Sequence, residues 1–139
     1  MYNHLDMMIR GAEKVITIAT TADGLNRKME ALLPGLEKAK RRGCVIRVAA
    51  PITEGNIKIA RQIAKIAEVR DTSQKSFNGR FSIVDSEQLM FMLTNDSTVH
   101  PNYDVAVWIS TDFFAKVMEQ MFELAWQEFR PLSKVKVRE

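Results

Sequence analysis

The sequence predicts an α/β fold: a mixed, mostly parallel sheet with helices on both faces. Three observations lead there. β-branched runs alternate with amphipathic stretches up to Ala67, the pattern of parallel strands joined by helices. Two strand-like runs then follow one another around a tight turn, which adds antiparallel members. A long helix with a broad apolar face comes after the last strand. With 139 residues, 46% hydrophobic and 27% charged, the chain reads as one globular domain over 1–139 with room for a core.

Residues 4–12 are expected to form a leading helix with Leu5, Met8 and Ile9 on one face. The run KVITIAT, 14–20, is a buried strand. Asp23 is the expected N-cap of the next helix, whose stripe is Leu25, Met29, Leu32, Leu36 and Ala39. Pro34 falls inside that stripe and predicts a kink or restart. Lys38, Lys40, Arg41 and Arg42 crowd its last turn before Gly43. Helix-end electrostatics explains these cations as well as contact with nucleic acid does.

CVIRVAA, 44–50, is a second buried strand, with Cys44 as a small core residue. A helix is expected over 54–67 with Ile59, Ile63 and Ile66 inward, then a short strand at 68–71, placed at a sheet edge. After the hairpin, 104–109 reads as a strand. Ser110 or Thr111 caps a last helix carrying Phe114, Val117, Met118, Met121, Phe122, Ala125, Trp126 and Phe129. Pro131 should end it, leaving 131–139 as a loose basic tail.

Composition bounds the function. A net charge of +3 permits an anionic partner without demanding one. The single Cys44 leaves no internal disulfide and fits a reducing compartment. No apolar run approaches the ~20 residues of a membrane span, and MYNHLDMMIRG lacks the pattern of a secretion signal. A cytoplasmic location is the expectation. His4 and His100 stand apart, no Cys pair or Gly-rich phosphate loop is present, and neither a metal nor a cofactor is expected. Trp108 is read as buried, with an interface role as the alternative.

The chemistry, if any, sits in SFNGRFSIVDSEQLMFMLTND, 76–96. Asn78, Arg80 and Asp85 stand at relative positions 0, 2 and 7, and Asn95 follows Asp85 by ten. This spacing resembles the phospholipase D superfamily signature His-x-Lys-x4-Asp-x6-Gly-Ser-x-Asn. In that family the His attacks a phosphodiester and becomes a phosphohistidine, the Lys and Asn hold phosphate oxygens, and the Asp supports the site. Here Asp85 and Asn95 match, Arg80 replaces the Lys, Asn78 replaces the nucleophile, and Met92-Leu93 replaces Gly-Ser. An amide nitrogen has no usable lone pair, so Asn78 cannot act as the nucleophile.

Further stretches resemble the central domain of archaeal TrmB-type transcriptional regulators: IRGAEKVITIAT, LEKAKRRGCVIRVAA and the LAWQEF end of the last helix. That resemblance covers about residues 5–130. It implies a catalytically inactive sensory and dimerisation domain, with candidate anion- or effector-binding residues Asn78, Arg80, Asp85 and Asn95. It also implies a homodimer, and DNA binding through a separate winged-helix domain not seen in this chain. The alternatives are a phosphodiesterase or nuclease with a non-standard nucleophile, and a weak nucleic-acid-binding module.

Overall fold

The computed structural model of the chain describes residues 2–75, 77, 79–93 and 105–136. Helix α1 (Tyr2–Arg10) leads into β1 (Val15–Ala19), and α2 (Ala22–Arg41) carries the chain to β2 (Val45–Ala50). Next come α3 (Ile57–Ile63), β3 (Glu68–Asp71) and the hairpin of β4 (Phe81–Val84) and β5 (Gln88–Met92). They are followed by β6 (Ala106–Ser110), α4 (Asp112–Trp126), a two-residue β7 (Arg130–Pro131) and a 3₁₀ turn at Leu132–Lys134. All seven strands form one sheet, ordered β6-β5-β4-β1-β2-β3-β7.

The sheet is mixed, as expected, but mostly antiparallel rather than mostly parallel. β1–β2 and β2–β3 pair parallel. β1–β4, β3–β7, β4–β5 and β5–β6 pair antiparallel. The reason lies in the connections. Helical crossovers α2 and α3 return the chain to start each new strand in the same direction. The segment 72–80 contains no helix among its described residues. It passes along the carboxyl edge of the parallel strands and inserts β4 beside β1, running the other way.

Side-chain alternation sorts the core into two layers. Ile16, Ile18, Ile46 and Val48 face the layer of α1, α2 and α3, with Leu5, Ile9, Leu25, Met29, Leu32, Leu36 and Ile63. Ala19, Ala49, Phe81, Ile83 and Leu89 face α4, with Phe122, Trp126 and Phe129. The α4 layer is aromatic: Phe122 packs at 5.6 Å from Phe81 and 5.6 Å from Trp126, centroid to centroid. Arg47 lies over both Phe122 and Trp126 at 5.3 Å and pairs with Glu123, so its charge bridges β2 and α4. Each buried side chain of this size contributes about 1.5–3 kcal/mol. Cys44 is buried in the first layer, as expected.

Local details depart from the sequence reading. Thr21, not Asp23, caps α2: its hydroxyl accepts from Gly24 N at 2.9 Å. α2 runs unbroken through Pro34, because Pro34 and Glu30, four residues earlier, are exposed and water can serve the freed carbonyl. α3 is shorter than 54–67, and Ile57, Ala60 and Ile63 make its buried face while Ile59 and Ile66 are only partly buried. β3 is not an edge strand, since β7 covers it. α4 stops at Trp126, before Pro131, and Met121 is 59% exposed rather than core. The tail is not loose through Val135, because Leu132 and Val135 pack on the first layer. Trp108 is 48% exposed, with its ring 4.8 Å from His4. Among the described residues no helix is long and apolar enough to cross a membrane.

Candidate functional site

The carboxyl ends of β1, β2 and β3 meet the start of β4, and the motif cation arrives there. In open α/β sheets this edge is where ligands gather, because the connections leave a crevice. Arg80 is 6% exposed and points to the α2 face, since its neighbour Phe81 belongs to the α4 layer. Its backbone is pinned by Met92 N, which donates to Arg80 O at 2.8 Å. Thr20 continues β1 past the Ala19–Phe81 pair and so lies beside Arg80. Thr20 is 4% exposed, and its hydroxyl has no hydrogen-bond partner. Lys28, in the second turn of α2, is 1% exposed on the same side of the sheet. Both cations are partnered, as buried charges must be.

Phe77 and Gly79 shape the chain just before Arg80. Phe77 joins the α4 layer, with its ring 5.1 Å from Phe129 and 6.2 Å from Phe81. A Cβ on Gly79 would lie 2.9 Å from the Phe81 ring and 3.0 Å from the Phe77 ring. Only glycine lets the two rings close over the chain while Arg80 turns to the other face.

Two polar hubs brace this edge of the sheet. Asp71, 3% exposed, accepts from Ile52 N at 2.9 Å, Ser73 N at 3.0 Å and Ser73 Oγ at 2.8 Å. Asn56 accepts from Thr53 N at 2.8 Å and donates to Pro51 O at 2.8 Å and Ala22 O at 3.1 Å. These bonds tie the exits of β2 and β3 to the start of α2.

Asp85 does not join this site. It lies at the far end of β4, five residues from Arg80, about 16 Å away by the rise of a strand. Its φ is 55°, in the hairpin turn. Its carboxylate accepts from Glu13 N at 2.8 Å, Lys14 N at 2.7 Å and Val15 N at 3.0 Å, while Asp85 N donates to Val15 O at 2.8 Å. It caps the α1–β1 junction. An open cleft of about 480 Å³ lies at this end, lined by Lys14, Asp85, Glu87, Asp112 and Lys116 among others, with cations and carboxylates mixed. Asn78, Asn95 and His100 lie outside the described residues. Of the four candidate site residues, the structure thus places Arg80 at the carboxyl edge of the parallel strands and Asp85 at the opposite end of β4. Thr20, Lys28, Asn56, Asp71 and Gly79 were not anticipated. A DTS run at 71–73 is the one local signal that a turn-bonding carboxylate stood there.

No family model matches the sequence, and no curated protein matches it. Solved structures do match. TrmBL2, an archaeal chromatin protein whose structure is described as showing a novel mode of DNA binding, is 20% identical with a TM-score of 0.71. The match covers 92% of this chain and 49% of TrmBL2, so the chain spans about half that protein's length. Nuc from Salmonella typhimurium, a phospholipase D family member, is 16% identical with a TM-score of 0.72, covering 93% of this chain and 88% of its own. NucT from Helicobacter pylori is 13% identical with a TM-score of 0.63, covering 93% and 89%. The chain therefore carries the phospholipase D-like fold.

Proposed function

We propose that this chain is a catalytically silent phospholipase D-like module that serves a transcriptional regulator as a sensory and dimerisation unit. The observation that carries the reading is Asn78 at the position of the nucleophile. Without an imidazole there, no phospho-enzyme forms. Arg80 keeps a buried positive charge at the crevice, which suits binding of an anionic effector rather than its cleavage. Asn78 and Asn95 flank that cation in sequence and are the further candidates for contacting the effector. The likeness to TrmBL2 supports a place beside DNA. In this reading DNA is gripped by a separate winged-helix domain, and two copies meet near the hairpin ends.

The alternative is a phosphodiesterase or nuclease, and the fold shared with Nuc favours it. Hydrolysis of bis-p-nitrophenyl phosphate and of single-stranded DNA separates the two. The expected result is no turnover above a heat-denatured control. Turnover that disappears in Arg80→Ala would overturn the regulatory reading in favour of the enzyme.

A further inference from the structure

The outer faces of the two long helices differ. α2 presents charge to solvent, with Glu30, Glu37, Lys38, Lys40 and Arg41 exposed. That is the ordinary outside of a helix packed on a sheet. α4 buries Ala115, Phe122 and Trp126 against the sheet, yet its opposite side is apolar too. Phe113 is 76% exposed, Leu124 72% and Met121 59%, with Val117 half-buried between them. Phe113, Val117, Gln120 and Leu124 recur at 4-3-4 spacing, the spacing of a two-helix seam. Met121 widens the stripe on one side.

We propose that this stripe receives the same helix from a second copy of the chain, packed antiparallel about a two-fold axis. The proposal rests on the self-association in the functional reading above, and places it on the outer face of α4 rather than at the hairpin ends. The argument for a second copy is that the stripe complements itself. Antiparallel pairing sets Phe113 against the partner's Leu124 and Val117 against the partner's Gln120, and symmetry repeats both contacts. Lys116 and Glu123 flank the seam on the same side, seven residues apart. In an antiparallel pair such equivalent flanks face one another, so each Lys116 meets a Glu123 of the other copy. A parallel pair would lose this match. Glu123 is already oriented by Arg47 and its side chain keeps 47% exposure, so it stands ready at the seam. Four layers from one helix bury less than the ~800 Å² per partner of a standard interface, so the contact falls in the class of small, reversible ones.

Light scattering on the full chain across a rising concentration series decides the matter. The expected wild-type mass rises toward twice 15.9 kDa. Leu124→Lys should hold it at the monomer with circular dichroism and melting unchanged, since the side chain is exposed. Lys116→Glu should weaken association about tenfold by turning both symmetric pairs repulsive. Lys116→Arg, which keeps the charge, should leave association as in the wild type. A wild-type dimer that survives Leu124→Lys overturns the α4 surface and leaves self-association standing elsewhere. A wild-type monomer throughout overturns both.

Discussion

The two ends of β4 carry the two halves of one sequence motif and do different work. At the far end Asp85 saturates its carboxylate with three backbone N–H groups from the α1–β1 junction. At the near end Arg80 lies buried at the carboxyl edge of the parallel strands, beside the Thr20 hydroxyl, which has no hydrogen-bond partner. One residue is architecture. The other is the cation proposed above to meet an anionic effector. Equal spacing to a family signature therefore does not mean equal role. A strand of four residues is long enough to put two residues of one motif in unrelated surroundings.

The largest test of this contrast is Asp85→Ala. It removes the charged acceptor of three N–H groups, one of them part-buried, and puts an alanine at positive φ, so unfolding free energy should fall by about 2–4 kcal/mol. Asp85→Asn keeps one acceptor oxygen and tolerates that φ, so about half the loss is expected. Denaturant melts measure both. A loss below ~0.5 kcal/mol, the size of an ordinary surface change, would mean the junction holds without the carboxylate.

A middle-sized effect is expected at the other end from Gly79→Ala. The added methyl must push apart the Phe77 and Phe81 rings, at a cost of about 1–3 kcal/mol. Neutrality in the same melts would show that the aromatic clasp before Arg80 gives way freely. The smallest effect belongs to Thr20→Val. Its hydroxyl has no partner to lose, so stability should change by less than ~0.5 kcal/mol or improve. Sulfate titrated against thermal melting would sharpen the comparison. Protection of the wild type that vanishes in Thr20→Val makes that hydroxyl a ligand contact, whereas a large loss of stability without sulfate would make it structural.

Much of the fold was legible in the sequence. Runs such as VITIA and VIRVAA have one stable solution, a buried strand, and the stripe Leu25–Ala39 has one face to hide. The helix order and the hairpin followed. What could not be read depended on partners far along the chain. Nothing near 72–80 announces that β4 will insert beside β1, so the sheet came out more antiparallel than expected. β7 is two residues containing a proline, and no propensity signals it. Lys28 sits among ordinary helix residues, and only the packing of α2 reveals that it is buried. Asn56 and Ala22 are 34 residues apart. The site shows the same division: Arg80 is recognisable as a cation in a motif, while the hubs that shape its surroundings are long-range contacts with no local mark.

The insertion of β4 has a consequence for synthesis. β1 is the fourth strand in the sheet order, with β2 on one side and β4 on the other. As the chain leaves the ribosome, β1, β2 and β3 are complete before β4 exists. In that interval the middle of the finished sheet is a raw border, with the backbone groups of Ile16–Ala19 facing outward and unpaired. Such a border templates pairing with other chains. That border closes only when β4 has left the ribosome and docked beside β1, so a chain truncated after β3 should aggregate more readily than the full chain.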